Sequence, residues 1–231
     1  IYCSYGRQWA NFQEPEVLQV IIDAANSLCT RFNPNIGQIR SWDFGEWNYP
    51  VIVDNLMNLE MLFFASKMTG DKKYYDVAVK HADTTLENHF RPDGSSYHVV
   101  SYNNDGTIES KGTFQGFAHE SSWARGQAWT VYGYTMCYRE TGDEKYLAHA
   151  EHIANYIMNA VQTEDKIPYW DYHDTAIPDV PRDASAAAVT ASALLELSTL
   201  TKDADKAKAY VEYAEDILLS LSSPEYMAEE G

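Results

Sequence analysis

An aspartate set among apolar residues is the first position in this sequence that could do chemistry. Asp54 lies in Val51-Ile52-Val53-Asp54-Asn55-Leu56-Met57-Asn58, one turn into an expected inner helix. An ionisable group there is costly unless it is paired or lines a cavity. It reads either as a functional acid or as an acid stabilised by the positive end of its helix. A second stretch, Ser122-Trp123-Ala124-Arg125-Gly126-Gln127-Ala128-Trp129, opens another helix, with Ser121 or Ser122 as its expected cap. Arg125 and Trp129 are four apart and share a helix face. A guanidinium beside an indole suits a carboxylate carried on a sugar ring, because one binds bidentately and the other stacks. The plainer reading is a structural arginine bonded to loop carbonyls.

Histidines are weaker signals. His98 stands in a long loop with Gln115, and such a histidine is commonly a turn residue. His149 and His152 have helical spacing but no third ligand nearby, so they read as solvated positions on an outer helix. Asp183, ahead of Ala184-Ser185-Ala186-Ala187-Ala188, reads as a helix cap, with a cavity-facing role as the alternative.

These residues need elements to position them, and a weak internal repeat supplies the elements. Thr69-Gly70-Asp71, Thr141-Gly142-Asp143 and Thr201-Lys202-Asp203 each separate two helical stretches. Each Asp suits an N-cap, and each is followed eleven residues later by an alanine: Ala82, Ala154 and Ala214. The glycine in two copies suits the end of the preceding helix. A fainter copy runs from Glu14 to Ala25, with Pro15 in a first-turn position. Helical hairpins are therefore expected over about 51–90, 121–161 and 184–222, with 1–32 as the tail of an earlier one. The first helix of each is apolar on most faces and the second one-sided, as inner and outer layers of an α/α toroid require. A straight helical solenoid is the structural alternative. Three long loops, 33–50, 91–120 and 163–183, each join an outer helix to an inner one. In a toroid they gather at one end, where function is expected.

Composition narrows the function classes. The chain has 231 residues, 45% of them hydrophobic and 22% charged, in the range of a globular domain. A net charge of -17 argues against a nucleic-acid partner. A local arginine can still bind an anionic sugar. No apolar run is long enough to span a membrane. Three cysteines without a CxxC pair signal neither a disulfide framework nor zinc, and Cys29 and Cys137 read as core residues.

Taken together, these stretches resemble the unsaturated glucuronyl hydrolases of glycoside hydrolase family 88. The resemblance is carried by Arg40-Ser41-Trp42-Asp43, Val53-Asp54-Asn55-Leu56-Met57-Asn58, Ser96-Tyr97-His98, Gln115-Gly116-Phe117, the Ser122–Trp129 stretch and Pro181-Arg182-Asp183-Ala184-Ser185-Ala186-Ala187. It implies an all-α, (α/α)6-barrel fold of six hairpins, of which about three and a half are present here. It also implies an unsaturated uronic-acid oligosaccharide as substrate, hydrated at its C4=C5 double bond, with no cofactor and no metal. The resemblance assigns Asp54 as the catalytic acid and Trp42, His98, Gln115, Arg125 and Trp129 as substrate-binding residues, with Trp47 an alternative to Trp42. Burial among apolar groups favours the neutral form of a carboxylic acid, which suits a proton donor. The family's second essential acid lies in a His-Asp-x-Gly-Phe segment that would directly precede Ile1. Residues 1–231 are thus expected to be the central part of a single barrel domain, nearly inactive alone and of bacterial periplasmic or cytoplasmic origin. The rival readings are an unsaturated rhamnogalacturonyl hydrolase of family 105 type and a non-catalytic helical-repeat scaffold.

Overall fold

Each Thr-x-Asp punctuation point makes the turn that its residue types predict. In the computed structural model, which describes residues 1–228, the Thr69 hydroxyl bonds back to the Ala65 carbonyl and accepts from the Asp71 amide. Asp71 then accepts from the Lys73 amide. Thr141 and Asp143 repeat the pattern with Cys137 and Lys145. Asp203 caps its helix by accepting from both Asp205 and Lys206. Gly70 and Gly142 close the preceding helices with φ of 73° and 70°, a conformation that costs glycine least.

The result is mostly helical, with eight α-helices among the described residues. A π-helical turn (Tyr2–Gly6) leads into α1 (Arg7–Phe12) and α2 (Pro15–Cys29), followed by α3 (Asn55–Thr69) and α4 (Lys72–Asn88). Then come α5 (Ala124–Thr141), α6 (Glu144–Ala160), α7 (Ala184–Leu200) and α8 (Ala204–Leu221). Five short strands that the loop reading did not anticipate lie in the first two long loops and at their edges, and one of them, Pro50–Ile52, takes up the first residues expected of the 51–90 hairpin. β1 (Phe32–Asn33) pairs antiparallel with β2 (Gln38–Ile39), while β3 (Pro50–Ile52), β4 (Val99–Tyr102) and β5 (Ile108–Gly112) form a sheet in that order.

The chain forms two compact units, residues 1–88 with 100–110, and residues 89–99 with 111–231. In the first, α3 packs on α4 and on α2. In the second, α5 packs on α6 and α7, and α7 on α8. Two of the three first helices are buried on most faces as expected; α7 is not, and leaves Ser185, Ala188, Ser192, Leu195 and Thr199 exposed along one stripe. α3 buries Leu56, Leu59, Met61, Leu62, Phe63 and Ala65, and α5 is buried on nearly every side. The second helix of a hairpin buries one stripe, Tyr146, Ala150, Ile153 and Ile157 on α6 and Tyr210, Tyr213, Ala214 and Ile217 on α8. The repeated alanines Ala82, Ala154 and Ala214 are all fully buried. Their small side chains let the two helices of a hairpin approach closely.

Two expectations about single residues change. His149 is not a solvated outer-helix position. It sits edge-on to Phe90 (4.2 Å) and Tyr134 (4.7 Å), and burial pushes it down to about 4, helped by the nearby His152. Cys29 is only half-buried, whereas Cys137 is a core residue as expected.

Candidate active site

In the first unit, Asp54 is not one turn inside its helix: Pro50–Ile52 is strand, and Asp54 is the N-cap residue of α3, 9% exposed. Its neighbour Asn55 stitches this helix start to the β2 exit. The Asn55 amide donates to the Ile39 carbonyl (2.8 Å) and to the Ser41 hydroxyl (3.1 Å). Ser41 Oγ also accepts from the Ile52 amide at 2.9 Å. The residue after Ser41 is Trp42, whose half-buried ring stacks on Phe44. Asp54 and the Trp42 segment are therefore tied together by one buried amide and one hydroxyl. Beneath them, His81 accepts the Ile39 amide (3.1 Å), which anchors β2 to α4.

In the second unit, the loop bearing Gln115 is folded around His98. His98 is buried, and its Nδ1 accepts from the Phe114 (3.2 Å) and Gln115 (3.3 Å) amides and lies 3.2 Å from Thr113 Oγ1. A nitrogen receiving backbone N–H groups carries no proton itself, so the neutral ring presents N–H at Nε2. Asp171, fully buried, holds the far side of the loop. It accepts from the Phe117 amide (2.9 Å), the Ser121 hydroxyl (2.6 Å) and the His173 amide (2.9 Å). Gly116 passes so close that a Cβ there would stand 2.9 Å from Asp171 Oδ2. Gln115 is left exposed on this braced loop.

The start of α5 differs from the expected cap. The N-cap residue is Trp123, with no side-chain cap bond. Ser121 is engaged by Asp171, and the Ser122 hydroxyl donates to Gln127 (3.1 Å). Gln127 is fully buried: its carbonyl oxygen also accepts from the Ser96 amide and hydroxyl, and its nitrogen donates to the Gly94 carbonyl. That one side chain fastens the turn leading into His98 onto the helix that carries Arg125. The same turn is braced at Asp93. Burial opposes its ionisation, yet two bonds from Ser95 hold its carboxyl below the usual range.

Trp123 joins the pieces. Its ring packs against His98 at 4.7 Å, and the Arg125 guanidinium lies over it at 4.9 Å. The sequence reading paired Arg125 with Trp129; the observed aromatic partner is Trp123, two residues earlier, while Trp129 meets Tyr132 edge-on. Arg125 and Trp129 remain half-buried. Asp183 caps α7 by accepting from Ala186 (2.8 Å), as expected, and also stands 3.9 Å from Arg125 Nη1. Residues 121–124, 169–172 and 181–183 run side by side through the bridges Trp123↔Asp171 and Tyr169↔Arg182. Sequence reasoning thus missed Trp123, Asn55, Gln127 and Asp171 as organisers. Asn55 and Gln127 carried a usable signal, since a polar residue on a helix apolar all round must find a partner.

Among the described residues, no group of three or more His, Cys, Asp or Glu is arranged to hold a metal, and no helix is long and apolar enough to cross a membrane.

Known proteins are similar to this chain in sequence and in fold. An unsaturated glucuronyl hydrolase of Formosa agariphila is 47% identical over 98% of this chain and 57% of its own length. An unsaturated chondroitin disaccharide hydrolase of Streptococcus agalactiae is 36% identical over 88% of this chain and 52% of its own. A solved unsaturated glucuronyl hydrolase specific for heparin superposes with a TM-score of 0.95 at 52% identity, over all of this chain and 62% of that one. The chain thus spans little more than half the length of the relatives it matches. The family description Glycosyl Hydrolase Family 88 matches residues 1–196, which include Asp54, His98, Arg125 and Asp183, and the chain belongs to that family.

Proposed function

We propose that this chain is part of a hydrolase that releases a 4,5-unsaturated uronic acid from the non-reducing end of glycosaminoglycan-type oligosaccharides. The observation that carries this reading is the family match over residues 1–196, with relatives named unsaturated glucuronyl hydrolase at 47% and 52% identity. The three hairpins α3–α4, α5–α6 and α7–α8 would be consecutive members of an (α/α)6 barrel, in which residues 1–231 form the central part of one domain.

Asp54 is the catalytic acid in this reading. It delivers a proton to C4, which leaves positive charge at C5 shared with the ring oxygen. The resulting carboxylate takes a proton from water as that water bonds to C5. The hemiketal opens, and the hemiacetal at C1 then collapses and frees the rest of the oligosaccharide. Carboxylate spacing of the retaining or inverting kind has no bearing on such a hydration. Arg125 binds the substrate carboxylate, Trp42 and Trp129 stack on sugar rings, and His98 Nε2–H and Gln115 hydrogen-bond the unsaturated sugar or place the water. These roles need no cofactor.

Identity favours a heparin-type over a chondroitin-type disaccharide: 52% to the heparin-specific enzyme against 36% to the unsaturated chondroitin disaccharide hydrolase of Streptococcus agalactiae. The test is turnover of unsaturated heparin- and chondroitin-derived disaccharides by the protein at its natural length, followed by loss of the double bond's ultraviolet absorbance. In heavy water, one deuterium at C4 of the product is expected. Cleavage without loss of the double bond would falsify the hydration mechanism.

A further inference from the structure

The first turn of a helix is a poor place for a cation, because the backbone N–H groups there already present partial positive charge. Arg125 nevertheless sits at the second residue of α5. Its surroundings explain how it is kept there. Ala124, Ala128 and Ala186 form a small-residue core between the first turns of α5 and α7, with Tyr172 and Val189 packed against it. Alanines at that crossing bring the two helix starts close together. The backbone locks the approach: Ala124 N donates to Trp170 O, Trp170 N to Pro181 O, and Asp183 N to Pro168 O. Both anchors of the Arg125–Asp183 pair are therefore set by one laced frame.

Asp183 divides its two oxygens between two tasks. Oδ1 caps α7 through the Ala186 amide at 2.8 Å. Oδ2 faces Arg125 Nη1 at 3.9 Å. The Asp183 side chain is 9% exposed and that of Arg125 38%. The guanidinium thus has an indole on one face, a buried carboxylate to one side, and an open remainder.

We infer that Asp183 is a positioning residue: its second oxygen holds the Arg125 guanidinium over Trp123 so that the open edge is presented to the substrate carboxylate. This rests on the proposed reaction for its catalytic consequence, and on the geometry alone for its structural one.

Four variants separate the tasks. Asp183→Asn and Asp183→Ser keep a cap and lose the charge. Asp183→Glu keeps the charge and weakens the cap, and the 3.9 Å gap leaves room for its longer side chain. Asp183→Ala loses both. Expected is a rise in KM of about tenfold for Asn and Ser with kcat little changed, and recovery of most of that loss by Glu. Thermal stability should follow the other grouping, with Asn and Ser near wild type and Ala and Glu lower. The 15N relaxation of the Arg125 Nε–H group should show increased mobility in Asn and Ser but not in Glu. An unchanged KM in Asp183→Asn, or activity that simply tracks stability across the four, overturns the inference. If the wild type turns over no unsaturated uronide, the functional reading fails, and the relaxation comparison still decides whether Asp183 positions Arg125.

Discussion

Gln127 accepts two hydrogen bonds from a single residue, Ser96, one from its amide at 2.9 Å and one from its hydroxyl at 2.8 Å. This pairing fixes the turn before His98 to the helix that carries Arg125, with no charge involved. An amide can do so because it offers an acceptor and a donor on one planar group. The donor goes to Gly94 O at 2.7 Å. Replacing Gln127 with Met keeps the volume and strands the Ser96 amide and the Gly94 carbonyl without partners. A loss of about 3 kcal/mol is expected in urea unfolding, since each buried orphan costs about 1–3 kcal/mol. A Met variant as stable as the wild type would show that the turn is held elsewhere.

Asp54→Asn tests the proposed acid. The Asp54 side chain makes no cap bond to α3, and Asn has the same size, so the fold of α3 should survive. Activity toward an unsaturated disaccharide should fall by about 10²–10⁴-fold, the usual contribution of general acid–base catalysis. A helical scaffold without catalysis, by contrast, would show no turnover to lose, and its ligand binding would tolerate the change.

The His98 ring can be tested without substrate. In His98→Ala the amides of Phe114 and Gln115 lose their acceptor, and their hydrogen exchange should quicken while that of α5 stays slow. Stability should drop by about 1–3 kcal/mol, and kcat/KM should fall with it. Unchanged exchange at both amides would mean that the loop needs no such brace.

His149 sets an acid limit on stability. Packing between Phe90 and Tyr134 holds it at about 4 in the folded state, below the ordinary value of 6.5. The unfolded chain therefore binds a proton that the folded chain refuses between those values. Stability is complete above about pH 6.5 and is lost as pH falls toward 4, by up to about 3 kcal/mol. His149→Phe should flatten that part of the stability–pH curve. An identical slope in the variant would place the acid sensitivity in other groups.

The helical plan was legible because its signals are local. Thr-Gly-Asp at 69–71 and 141–143 ends one helix and caps the next through bonds spanning a few residues. Ala82, Ala154 and Ala214 marked the buried stripe through spacing alone. The acid at 54 stood out because a carboxylate among apolar neighbours demands an explanation. Ser121, by contrast, had the right type and position to cap α5, and only the fold showed that Asp171, fifty residues on, had claimed its hydroxyl.

By itself the sequence determined where helices start, stop and turn their apolar faces, and which side chains are chemically able to act. Those properties depend on residue type and short spacing. Tertiary structure alone decided the partnerships: Trp123 rather than Trp129 beneath Arg125, Asp183 beside it, and His149 in an aromatic pocket instead of water. Each joins residues brought together by packing of separate elements, and two side chains at equal sequence spacing differ in partner once another loop lies across one of them.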